Sequence, residues 1–201
     1  MSLLVPWLVF PLVLAALSLG CGLLVERAAG LALPGALLVP LGLALLIVEA
    51  DLVTMTGATA QLATPLALAL AVVGFGLSTG RRRRPDRWAI ACALGVFAVY
   101  AAPVVLSGRA TFAGYITLDD TSTWLALTDR AMEHGRTLTN LAPSTYQQVL
   151  TDYFHSGYPL GGFLPLGLGG KLTGQDVAWL FQPTIALYGA GSTTDHRGRR
   201  I

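Results

Sequence analysis

Charge is what this sequence has least of. Only 12% of its 201 residues are charged, against about 25% in an ordinary soluble domain, and the net charge is +2. A disordered chain needs high net charge and low hydrophobicity, so disorder is excluded. Lysine is nearly absent, Lys171 standing alone among arginines. Cysteine is limited to Cys21 and Cys92, both inside apolar runs, which argues against a disulfide framework or a cysteine metal cluster and leaves two small packing residues. No basic stretch precedes the first apolar run, which begins Met1-Ser2-Leu3-Leu4, so that run is expected to stay in the mature protein. No internal repeat or low-complexity linker interrupts the segment that follows about Ser107. What is there is apolar: 54% hydrophobic residues and a mean hydropathy of +0.63. These values describe a membrane protein. The preference for arginine over lysine, with abundant alanine, glycine and leucine, reads as the codon bias of a GC-rich bacterial genome.

A bilayer core of roughly 30 Å needs about 20 apolar helical residues. Four runs meet or approach that length: Leu3 to Val25, Leu31 to Glu49, Leu62 to Leu77 and Trp88 to Leu106. Residues 1–106 are therefore expected to form a four-helix transmembrane region. Prolines at Pro6, Pro11, Pro34, Pro40, Pro65 and Pro103 predict kinks that neighbouring helices make tolerable. Orientation follows from Arg81-Arg82-Arg83-Arg84-Pro85-Asp86-Arg87, because short arginine-rich loops stay in the cytoplasm. Between two spans this run is a topology signal rather than a nucleic-acid or lipid patch, and no nucleic-acid partner is expected. The N-terminus, the Glu49 to Gln61 connection and everything from about Ser107 then face outward. The expected location is a bacterial inner (plasma) membrane, crossed several times.

Residues 107–157 are more polar and read as a structured external loop. Asp119-Asp120-Thr121-Ser122 opens a helix whose apolar positions Trp124, Leu127 and Ala131 share helical spacing, and Gly135 closes it. Ser144-Thr145-Tyr146-Gln147 is a capping-box pattern that starts a second helix, with Tyr146, Val149, Leu150, Tyr153 and Phe154 on one apolar face and Gly157 at its end. Two short amphipathic helices beside a span are expected to lie in the membrane interface. The fold class is thus all-α: a polytopic transmembrane helical bundle with an external loop holding two interfacial helices. One aspartate suffices to cap a helix. If Asp119 and Asp120 are extended, their side chains point to opposite sides, so that one caps and the other faces a cleft.

Tyr115-Ile116-Thr117-Leu118-Asp119-Asp120-Thr121, Ala131-Met132-Glu133-His134-Gly135, His155-Ser156-Gly157-Tyr158-Pro159-Leu160 and Leu172-Thr173-Gly174-Gln175-Asp176-Val177-Ala178 follow one another in an order that resembles the amino-terminal part of a C-type (GT-C) polytopic membrane glycosyltransferase. The similarity is to the protein mannosyltransferase and aminoarabinose transferase group in particular, and it covers about Gly114 to Leu187. The resemblance implies transfer of a hexosyl or pentosyl group from a polyprenyl-phosphate-linked donor to an acceptor hydroxyl at the extracytoplasmic face. It makes Asp119 and Asp120 the catalytic candidates, with Tyr158 and His155 as substrate-binding candidates. The pattern departs from the family in having four spans, rather than one, before the acidic pair, and Asp-Asp where Asp-Glu is usual. Family members are also much longer, so the chain reads as a front portion that is inactive alone.

Such a transfer needs a base for the acceptor proton and positive charge for the departing phosphate. One of Asp119 and Asp120 supplies the base; the other holds the acceptor, caps the helix or assists a divalent cation if one is used. No other metal site is expected, since His134 and His155 are distant and unaccompanied. Arg109, Arg130, Arg136 and Lys171 either pair with a lipid phosphate or snorkel to headgroups. Glu49 and Asp51 read as boundary residues of the second span. Tyr115, Trp124, Tyr146, Tyr153 and Tyr158 either stack on a sugar or anchor at the interface.

Residues 158–190 hold one or two further membrane helices, in which Gly161, Gly162, Gly167, Gly169 and Gly170 permit close packing. By the family pattern Tyr158 to Gly170 runs inward and Val177 to Ala190 returns outward. By the charge rule only the last run crosses and its tail is inside. The resemblance favours the first. Residues 191–201 form a basic polar tail, either a cytoplasmic anchor or the product of truncation or a frameshift. The alternative to an enzyme is a non-catalytic membrane scaffold or a transporter subunit, whose partners are membrane lipids rather than a sugar donor.

Overall fold

The computed structural model describes residues 3–78, 87–108 and 119–192. The protein is all-α, with no strand among the described residues. Helix α1 (Val5–Ala29) opens with a π-helical turn over Val5–Val9, next to Pro6 and Pro11, whose missing N–H groups break the regular ladder. It is followed by α2 (Gly35–Val53), the single turn α3 (Gly57–Ala60), α4 (Ala63–Leu77) and α5 (Arg87–Ser107). By length and composition α1, α2 and α5 can each cross a membrane; α4 is as apolar but shorter. The arginine run lies mostly outside the described residues, as do most of the basic tail and the start of the acidic motif.

These helices coincide with the expected runs to within a few residues, and a proline sets where α2 starts. Pro34 does not kink α2 but precedes it at the N-cap with extended ψ of 137°, so the helix starts at Gly35 and continues past Glu49 to Val53. Pro65 occupies the first turn of α4, where no intrahelical partner awaits its N–H. Pro40 and Pro103 lie inside α2 and α5. Leu94, Val99 and Leu106 on α5, and Val72 on α4, project outward and exposed. A soluble protein seldom leaves so continuous an apolar surface open, whereas lipid covers it without cost.

The bundle is organised around α1. Ser18 and Gly22 of α1 face Gly42 and Leu38 of α2, and Gly20 of α1 faces Ala71 and Gly74 of α4. A Cβ added at Gly22, Gly42 or Gly74 would overlap backbone atoms of the opposing helix, so the absence of side chains sets the interhelical distance. Phe10, Leu14, Leu17 and Cys21 fill the remaining space with Leu46 and Ala50 of α2 and the stripe Ala63, Ala67 and Ala71 of α4. The α1–α2 turn is fastened by buried Glu26, whose Oε1 accepts from the Leu33 N–H at 3.2 Å.

Helices α6 (Asp119–His134), α7 (Thr145–His155), α8 (Leu164–Thr173) and α9 (Val177–Ser192) complete the fold. Helix α8 has ten residues, about 15 Å, half of a bilayer core, so Tyr158 to Gly170 does not form the continuous inward helix that was expected. Its glycines nevertheless permit close contact: Gly167 meets Met132 and Thr128, Gly169 meets the Phe10 ring, and Gly161 before it meets Ile47. Gly162 has open space for a Cβ, and its carbonyl accepts from the Tyr188 hydroxyl at 2.8 Å. Helix α9 starts against α6 and α8, where Phe181 stacks near Trp124. It then follows α5 in the opposite sense, Ala186 joining Trp7, Ala101 and Val104 and Gly189 meeting Tyr100.

Gly42→Leu is expected to lower the melting temperature of the detergent-solubilised protein, costing about 1–3 kcal/mol or more because the clash is with backbone. Gly95→Leu, in open space on α5, should leave melting unchanged; equal behaviour of the two variants would contradict the packing described.

Candidate functional site

The end of the bundle formed by the α2–α4 connection and by α6 to α8 carries most of the polar chemistry. Its local folding is fixed by short side chains. Thr54 donates to the Ala50 carbonyl at 2.7 Å, ending α2, and Thr59 donates to the Val53 carbonyl at 2.6 Å. Helix α6 docks its C-terminus on this connection: Gln61 Nε2 donates to the Glu133 carbonyl at 2.7 Å, and Gly135, at φ +64°, abuts the Thr56 and Gly57 backbone. That left-handed turn and the lack of a Cβ both require glycine there. Ser144 Oγ accepts from the Gln147 N–H at 3.2 Å, the N-cap expected for α7.

Asp119 and Asp120 open α6. They are therefore helical rather than extended, and consecutive side chains are turned by about 100° instead of pointing to opposite sides. The Asp119 side chain lies outside the described part of the structure; Asp120 is exposed. One turn beyond Asp120, Trp124 Nε1 donates to the Tyr158 hydroxyl at 2.9 Å. The indole stacks on Phe163, with ring centroids 4.8 Å apart, and Tyr158 meets Tyr153 edge-on at 5.0 Å. Tyr158 is thus brought into an aromatic cluster one turn from the acidic pair, its hydroxyl already engaged. His155 is exposed at the end of α7. No hydrogen bond or ion pair joins Asp120, His155 and Tyr158 among the described residues.

The bases at this end are used internally, which neither lipid phosphate binding nor snorkelling predicted. Buried Arg130 donates to the Thr137 carbonyl at 2.9 and 3.1 Å and to the Thr139 carbonyl at 3.0 Å, shaping the chain that follows α6. Arg136 pairs with Asp51 and Lys171 with Glu133 at 3.1 Å. These two pairs tie the α6 end to α2 and α8 respectively. Arg109 lies outside the described residues.

Sequence reasoning did not single out Asp129. Its carboxyl is pushed above the ordinary range, chiefly by partial burial, then by the carboxylates of Glu133 and Asp176, with Lys171 and His134 opposing. The Tyr146 hydroxyl is raised mainly by burial and next by Asp129. The i, i+4 spacing of Asp129 and Glu133 was the available signal; Asp176 reaches them only through the fold. Among the described residues no three His, Cys, Asp or Glu side chains are arranged as a metal site would need.

A folded-state carboxyl raised above its unfolded value costs stability as pH rises through the carboxylate range, because the unfolded chain gives up the proton first. Asp129→Asn should therefore raise the melting temperature at neutral pH and lose that advantage in acid. The gain should not exceed about 0.5 kcal/mol, since water screens an exposed carboxylate. A variant less stable than wild type at neutral pH would contradict this. No family model, curated protein or solved structure matches this chain.

Proposed function

We propose that the chain is the amino-terminal part of a GT-C type membrane glycosyltransferase in a bacterial cell membrane. It would transfer a sugar from a polyprenyl-phosphate donor to an acceptor hydroxyl on the extracytoplasmic side, with Asp119 or Asp120 as general base. The observation that carries the reading is the position of this pair: the first turn of an amphipathic helix, after a helix long and apolar enough to span a membrane. A general base needs an oxygen lone pair to receive the acceptor proton, which a carboxylate provides. The aromatic cluster of Trp124, Phe163 and Tyr158 one turn away supports the reading, because Trp and Tyr suit a position with one apolar and one wet side. The phosphate of the donor would need a cation, for which Arg109 is a candidate or a divalent ion held by the second aspartate.

A second reading, a non-catalytic membrane scaffold or transporter subunit, draws on a different observation. Arg130, Arg136, Lys171 and the Tyr158 hydroxyl are all engaged within the protein, as they would be in a module whose task is to hold its own shape. Sugar transfer from a polyprenyl-phosphate donor separates the two. In membranes containing the complete product of the gene, Asp119→Asn or Asp120→Asn should reduce transfer by at least about a hundredfold, the usual minimum for losing a general base. Undiminished transfer by both variants would remove the assignment and leave the scaffold.

A further inference from the structure

Glu49, expected at the boundary of the second span, faces the interior of the bundle. Its relative exposure is 6%, and neither Oε1 nor Oε2 has a hydrogen-bond partner. Asp51, two residues on, faces the other way and pairs with Arg136. The residues sharing the interior with this part of α2 are apolar: Leu46 and Ala50 beside it, Phe10, Leu14 and Leu17 of α1, and Ala63 and Ala67 of α4.

An ionised carboxylate without a partner in such surroundings is far more costly than a neutral acid, which keeps only an ordinary polar desolvation cost. A compensating cation is the usual remedy, and the packed elements offer none. Helix α4 has no titratable side chain over Ala63–Leu77. Helix α1 contributes only the buried thiol of Cys21 to the core, and carries Glu26 and Arg27 at its far end. Lys171 of α8 is held by Glu133, and Tyr188 of α9 by the Gly162 carbonyl.

We infer that Glu49 is a buried proton-binding site of the α1–α2–α4 bundle, retaining in its unpartnered apolar setting a proton that an exposed carboxyl gives up. Its ligand is the proton itself. Intramembrane acids commonly mark such sites. The inference is independent of the sugar-transfer reading, since it uses none of the residues placed there.

The test compares thermal melting of the detergent-solubilised full chain with that of Glu49→Gln from acidic to neutral pH. It is accompanied by reaction of the folded protein with dicyclohexylcarbodiimide, an apolar reagent for protonated carboxyls, and by mapping of the adduct. Glutamine imitates the neutral acid. The variant should melt at or above wild type at neutral pH, the gap opening as pH rises through the ordinary carboxylate range toward neutrality, because the unfolded wild-type chain gives up the proton that the folded chain retains. A carbodiimide adduct at residue 49, lost in the variant, adds support. Two results would overturn the site: a variant that melts below wild type at neutral pH, indicating an ionised and paired carboxylate, or curves that remain parallel at every pH.

Discussion

The fold depends on how closely α1 approaches α2 and α4. In lipid, burying apolar side chains between helices gains little over leaving them in acyl chains, so dispersion contacts at short range must hold the bundle together. Gly22, Gly42 and Gly74 provide that range by placing backbone against backbone, and the alanine stripe of α4 extends the seam. The large side chains Phe10, Leu14 and Leu46 then fill what the glycines leave. Helix α5 lies apart from this seam and leans on α9 and the Trp7 end of α1.

The polar end rests on that seam. Helix α8 can cross the end of the bundle because Gly169 accepts the Phe10 ring and Gly167 accepts Met132. Helix α6 is then held at its C-terminus by Gln61, by Arg136 with Asp51, and by Lys171 with Glu133. Its beginning is held by the Trp124 stack on Phe163 and the hydrogen bond to Tyr158. The acidic pair thus sits on a helix whose two ends are both anchored, the kind of support that a reactive side chain needs from a scaffold.

Local chemistry made much of this legible in the sequence. Apolar run length located α1, α2, α4 and α5; Ser144, Gly135 and Gly157 marked helix ends where short-range geometry demands those residues. What depends on distant partners was not legible. Arg136 and Asp51 are 85 positions apart, so nothing nearby indicates that one neutralises the other. Glu49 and Asp51 look alike in sequence, yet helical rotation turns one into the bundle and the other toward Arg136. The direction of α9 follows from its packing on α5 rather than from its own composition. The acidic motif was visible, but whether its residues were extended or helical was a matter of one turn of chain.

We propose that α6 and its acidic start face the non-cytoplasmic side, across the membrane from the arginine-rich connection between α4 and α5. The direct measurement is labelling of single cysteines by a membrane-impermeant maleimide in intact cells, in protein freed of Cys21 and Cys92. Ser122→Cys, at an exposed position near the start of α6, should be labelled without permeabilisation, and Arg83→Cys only after it. Labelling in the reverse pattern would contradict the account.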